Sequence, residues 1–329
     1  MRVMPLGTSS GAPTPDRNVS GLAVDLGENW ILVDCGEATQ HTIQHTPLRP
    51  SRLAGVFITH LHGDHVLGLP GLLSSLSIGR RVAPLPITGP MGIKGWLDHM
   101  QTLPLLTLDF ELQITELEES PQSRSLEFDP RLQREPDRLA AVEPVEVRLP
   151  GITVGALPLI HRVTSFGYRF TGDAPEPNAD PALLANLGIE PGPAVGRLKA
   201  GESIQHNGRT VTPSEVLSGP SQPEVIAVMG DTVSCWNAVS LANGASLLVH
   251  ESTYADEHSD LGARWTHSTS RQAAQVAARA GAERLLLTHF SSRYDTADLL
   301  VNQAREVFPA TRPAVERTWF ELTDWTELD

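Results

Sequence analysis

The sequence predicts an α/β fold built as an αββα sandwich, with two β-rich halves stacked between outer helices. Three observations predict it: short apolar runs punctuated by glycine through the first 60 residues, the same rhythm again in the last third, and helical stretches between the runs. Periodicity alone leaves another layered α/β fold open. The 329 residues exceed a usual single domain, but large layered folds reach this length, so one domain with insertions is expected over 1–329.

Taken in order, RVMPLG, LAVDLG, NWILVDCG and LAGVFITH read as consecutive strands of an antiparallel or mixed sheet, punctuated by Gly7, Gly27 and Gly36. Helices are expected over 68–76 and 93–101, with LPITGP and LDFELQITEL as further strands. From 116 to 148 the pattern breaks into a charged, proline-punctuated segment, which predicts a solvated insertion. Strands resume at ITVGALPLIH and SFGYRFTG. A second excursion, 172–216, holds glycine and proline too often for a core element. The runs EVIAVMGD, SLLVHEST and RLLLTHF, with a helix over 270–280, complete the pattern.

The hydrophobic fraction of 40% supports a packed core, and no apolar run approaches the ~20 residues of a membrane span. The opening MRVMPLGTSSG lacks the build of a signal peptide, so a cytoplasmic location without membrane partners is expected. Cys35 and Cys235 are then expected as reduced thiols. A net charge of −14 argues against indiscriminate nucleic-acid binding, so any RNA contact must rest on local patches. Trp236, Trp265 and Trp319 are expected in the core or an interface rather than as base-stacking platforms.

The chemistry concentrates in Thr59-His60-Leu61-His62-Gly63-Asp64-His65, directly after the apolar strand GVFI. Imidazoles one residue apart at a strand end can turn to one side, and Gly63 lets the backbone curl so that Asp64 and His65 face a neighbouring point. Such a loop supplies two ligands to each of two metals, and zinc favours imidazole nitrogen and carboxylate oxygen. Paired divalent ions acidify a shared water and neutralise charge during an in-line displacement at phosphorus.

This HxHxDH pattern resembles the signature of the metallo-β-lactamase superfamily, which implies that fold and two Zn2+ ions, with Mn2+ or another divalent metal as the alternative. The resemblance implies His60, His62, Asp64, His65, His161, Asp231 and His289 as ligands. His161 would complete the first site, Asp231 would bridge, and His289 would complete the second; each of these three follows an apolar strand. Asp64 would also orient or deprotonate the water.

Further motifs resemble the ribonuclease Z family: Leu6-Gly7-Thr8-Ser9-Ser10-Gly11 with Arg17-Asn18, His250-Glu251-Ser252-Thr253, His267-Ser268-Thr269, and His289-Phe290-Ser291-Ser292-Arg293-Tyr294. Residues 187–204 resemble that family's flexible tRNA-gripping arm, which makes 172–216 a protruding arm and gives Arg197 and Lys199 a substrate role. The resemblance implies a zinc-dependent endoribonuclease that trims the 3′ trailer of precursor tRNA, acting as a homodimer. His267 is the candidate general acid with Glu251 as its carboxylate partner, and Ser291 and Arg293 are candidate phosphate holders beside Arg17 and Asn18. The chain departs from the family in carrying Pro15-Asp16 where a lysine usually precedes Arg-Asn, so no reading of the CCA end is carried over. A small-molecule phosphodiesterase or other ester hydrolase of the same fold, and an RNA-binding protein with a structural metal, are the alternatives. No function is assigned to 116–148.

Overall fold

Alternate residues of the strand Trp30–Cys35 meet different apolar layers, Ile31 and Val33 on one side and Trp30 and Leu32 on the other. A strand buried on both faces belongs inside a layered fold. The computed structural model places it there; it describes all residues except 104, 121–122, 130–142, 174–177, 219–222, 323–324 and 326–329.

The first of two seven-stranded sheets runs Phe320–Glu321, Arg2–Gly7, Gly21–Asp25, Trp30–Cys35, Leu53–Phe57, Leu85–Pro90 and Leu112–Leu117. Pairing is antiparallel up to Trp30–Cys35 and parallel beyond it. The second runs Thr311–Pro313, Leu285–Thr288, Leu247–Glu251, Val225–Met229, Phe166–Gly172, Ile152–Pro158 and Val145–Leu149, parallel across its first four strands.

Three apolar layers match an αββα sandwich. Between the sheets, Val24, Val33 and Phe57 meet Val154, Tyr168 and Ile226. Outside the first sheet, Leu69, Leu72 and Leu76 of the helix Leu69–Ile78 and Leu97 of the helix Ile93–Thr102 cover Leu32 and Val56. Outside the second, Ala273, Ala274 and Ala277 of the helix Ser270–Ala280 lie against Leu248 and Leu285. Each large apolar side chain so buried contributes about 1.5–3 kcal/mol, and a one-residue slip would turn these residues to the wrong face.

Of the segment expected as a solvated insertion, residues 116–117 and 145–148 belong to sheet strands, and Phe128 packs edge-on against Trp236 at 5.0 Å between ring centroids. Its residues 121–122 and 130–142 lie outside the described ones. Residues Gly172–Glu224 form a second compact unit with a small core of Leu184, Ile189, Leu198, Ile204, Val211 and Val216. It holds the helices Pro181–Leu187 and Pro193–Lys199 and the hairpin Ile204–His206 with Arg209–Val211. Its strand Leu217–Ser218, paired with Asn178–Ala179, lies past the boundary expected at 216.

Candidate metal centre

Strand ends bring the chemical residues to one place. His60 follows Leu53–Phe57, His161 follows Ile152–Pro158, Asp231 follows Val225–Met229, Glu251 ends Leu247–Glu251, and His289 follows Leu285–Thr288. Donor atoms of His60, His62, His161 and Asp231 all lie within 4.8 Å of one another, as do those of Asp64, His65 and His289, and those of Asp231, His267 and His289. Asp231 joins the groups: its Oδ2 lies 3.6 Å from His60 Nε2 and 3.5 Å from His65 Nε2, and its Oδ1 lies 3.4 Å from His289 Nε2.

The hydrogen bonds decide which nitrogen of each ring faces inward. Asp34 accepts from the Thr59 hydroxyl at 2.8 Å, so that hydroxyl oxygen is left to accept from His60 Nδ1 at 3.1 Å. His65 Nδ1 donates to Asp34 at 2.8 Å, and His161 Nδ1 donates to the Thr266 carbonyl at 2.8 Å. The Thr253 hydroxyl donates to Glu251 at 2.7 Å and accepts from His289 Nδ1 at 3.0 Å. With Nδ1 of all four rings engaged outward, their Nε2 lone pairs point inward. His60 Nε2 then sits 3.0 Å from His62 Nδ1, and His65 Nε2 sits 3.3 Å from His289 Nε2. Facing lone pairs repel unless a cation lies between them, and outward N–H groups spent on carboxylate, carbonyl or hydroxyl partners are how proteins orient metal-binding imidazoles. The donor set therefore fits divalent metal.

Although burial opposes charge on His65, Asp231 and Asp34 draw it well above the usual histidine range, so the pocket favours positive charge where a cation would sit. Burial holds His60, His62 and His161 below the usual histidine range, keeping them neutral. Burial would raise the Asp231 carboxyl, but His289 and His65 outweigh it and hold it well below the usual carboxylate range. Asp64 is likewise held low against burial by His289 and His65, and its Oδ2 accepts the Gly11 N–H at 2.7 Å. Burial disfavours charge on His267, yet the Glu251 carboxylate, 2.9 Å from its Nδ1, draws it up to about 9. Three residues here adopt left-handed backbone, Asp34 and Thr266 at φ 57° and His289 at φ 59°. Such strain in non-glycine residues costs on the order of 1–3 kcal/mol and collects at functional sites.

A cavity of about 330 Å³ opens onto this cluster, lined among others by Ser10, Gly11, His62, Asp64, His267 and His289. The other residues singled out from sequence are placed differently. Arg17 donates to the carbonyls of Tyr294 at 2.7 Å and Ser291 at 3.4 Å, so it clamps the turn after His289. The backbone N–H of Asn18 donates to Glu316 at 2.7 Å, and its carbonyl receives the N–H groups of Thr8 and Ser9. Arg293 is exposed and Ser291 half-buried. Arg197 pairs with Glu202 at 2.8 Å in the second compact unit, which also carries Lys199. His250 is fully buried, and its Nδ1 donates to the Glu251 carbonyl at 2.8 Å. Asp34, Thr253 and Thr266 were not expected. A lone aspartate inside the apolar run ILVDCG was the one signal that could have exposed Asp34.

A ribonuclease Z from Geobacillus kaustophilus is 40% identical over 330 residues, covering 98% of this chain and 99% of that protein. The chain belongs to the ribonuclease Z family. A ribonuclease Z from Bacillus thuringiensis is 39% identical, with 96% of this chain and 98% of the relative covered. Among solved structures, the human short-form tRNase Z superposes with a TM-score of 0.67 at 26% identity, covering 98% of this chain and all 100% of that one. The metallo-β-lactamase fold protein YhfI of Bacillus subtilis, at 19% identity, TM-score 0.64 and coverage of 97% and 98%, shows the shared fold. A family model described as anti-Pycsar protein Apyc1 matches residues 1–82. As a ribonuclease Z family member, the chain is a metal-dependent phosphodiester hydrolase.

Proposed function

We propose that this chain removes the 3′ trailer from precursor tRNA, leaving a 3′-hydroxyl on the tRNA and a 5′-phosphate on the trailer. The observation that carries the reading is the convergence of ring nitrogens from five imidazoles with the carboxylates of Asp64 and Asp231, in a chain of this family. His60, His62, His161 and Asp231 would hold one Zn2+, and Asp64, His65, His289 and Asp231 a second, with Mn2+ as the alternative. Bound there, the two ions supply an acidified water and positive charge against the phosphoryl oxygens.

The protein's own residues do the rest. The Gly11 N–H fixes one oxygen of Asp64 beside the cavity, where the carboxylate orients the attacking water. His267 keeps its Nδ1–H on Glu251, which leaves Nε2 to carry the proton given to the departing 3′ oxygen. Arg293 and Ser291 contribute to phosphate binding, and Arg17 and Asn18 shape the neighbouring loop. The unit 172–224 serves as the tRNA-binding arm through Arg197, Lys199, backbone amides and shape. The protein works as a cytoplasmic homodimer.

The test is cleavage of a defined precursor tRNA by zinc-loaded protein, with both product ends mapped. A cut after the discriminator base, abolished in His65→Ala, is expected. Absence of cleavage at full zinc loading refutes the proposal.

A further inference from the structure

Beside the metal centre, Arg162 has no carboxylate partner among the described residues. Arg162 follows His161 directly, is exposed, and lines the same cavity as Asp64, His267 and His289. It forms no hydrogen bond or ion pair with another described residue; its close neighbour is the indole of Trp265, whose ring centroid lies 4.9 Å from the guanidinium carbon. Arg264 lies over the same ring at 5.2 Å. Trp265 is 38% exposed, so of the two settings expected for it, core or interface, it is not in the core.

The chain brings these groups together through a metal-site contact. Trp265 ends the helix Ser259–Trp265, and Thr266, left-handed at φ 57°, presents the carbonyl that takes the His161 Nδ1–H. The hydrogen bond that orients His161 therefore also places Arg162 beside Trp265. A guanidinium can rest its flat face on an indole and still aim its N–H edge elsewhere, which a lysine ammonium cannot do. In a chain of net charge −14, an unpaired, aromatic-braced arginine at the mouth of a phosphodiester-cutting site is a local anion site.

We propose that Arg162 binds a phosphate of the RNA strand next to the cleaved linkage, and that Trp265 is the positioning residue that holds its guanidinium toward the cavity. This rests on the ribonuclease reading above. The anion is a nucleic-acid phosphate flanking the cut, so a minimal diester lacking flanking nucleotides gains little from the pair.

Steady-state cleavage of precursor tRNA and hydrolysis of bis-p-nitrophenyl phosphate, measured side by side with zinc content, test it. Arg162→Ala should raise KM for precursor tRNA about tenfold or more with a smaller change in kcat, as loss of a charge-assisted phosphate contact implies. Its loss on the RNA should exceed its loss on the small diester by a similar factor, and the salt dependence of RNA binding should flatten by about 0.7 in log–log slope. Trp265→Ala should raise KM roughly fivefold and Trp265→Phe should restore most of it, because a ring face remains. Equal losses on both substrates, or an unchanged KM and salt slope in Arg162→Ala, overturn the assignment. Wild-type protein that leaves precursor tRNA uncut sinks the ribonuclease reading itself, whereas wild-type cleavage that Arg162→Ala does not alter sinks only the Arg162 proposal.

Discussion

Asp34 accepts the Thr59 N–H at 2.7 Å as well as the Thr59 hydroxyl and His65 Nδ1, so one buried carboxylate sets the orientation of His65 directly and of His60 through Thr59. Asp34→Asn keeps the volume but removes the charge that fixes the His65 tautomer. Metal affinity should fall about 10–100-fold, read by chelator competition, and an unchanged affinity would remove Asp34 from the account. Thr253 does the same work for His289 while bracing Glu251. Proposed as the acid rather than as a ligand, His267 is drawn up to about 9 by the Glu251 carboxylate and so holds a proton to give at neutral pH. His267→Ala should therefore lower kcat by about 10²–10⁴ while retaining a full metal complement by elemental analysis. Loss of metal together with activity would reassign it as a ligand.

At the scale of elements, the loop into the helix Leu69–Ile78 is fastened by close backbone contact. A Cβ on Gly68 would fall 1.9 Å from the Gly36 carbonyl oxygen, and one on Gly36 would fall 2.3 Å from the Asp64 carbonyl oxygen. Gly68→Ala must then push the backbone carrying Asp64 and His65, with an expected cost of at least 1–3 kcal/mol in denaturant unfolding. The strands Phe166–Gly172 and Val225–Met229 pair with Thr171 opposite Val225, so a tight Asn-Gly turn can replace residues 173–223 without breaking the sheet. That variant should keep hydrolysis of bis-p-nitrophenyl phosphate and lose precursor-tRNA cleavage; loss of neither would deny residues 172–224 an RNA role. The strands and helices of the sandwich were legible because both faces of strands such as Trp30–Cys35 are apolar and because Ala-rich and Leu-rich helices repeat at helical spacing. The packing of Phe128 against Trp236 was not legible, since a single aromatic in a charged stretch carries no period.

Across the whole molecule, two carboxylates and five imidazoles from distant stretches meet at the ends of strands from both sheets. The cluster could be read from sequence because four of its residues sit in six consecutive positions and the rest close apolar strands. Their orienting partners could not, because Asp34, Thr253 and Thr266 are single residues whose role exists only once the strands are assembled. Metal linkage follows from the same geometry: ions bound to the folded state alone stabilise it, so chelation should lower the melting temperature reversibly, by scanning calorimetry with and without added zinc. The charge of −14 adds that RNA affinity must come from local contacts and fall steeply with salt. The most direct measurement is zinc titration of metal-free protein during cleavage of a defined precursor tRNA. Activity should be absent at the start and rise to a plateau at two equivalents per chain, with a 3′-hydroxyl on the tRNA product; full cleavage by the metal-free protein, or none at two equivalents, would contradict the account.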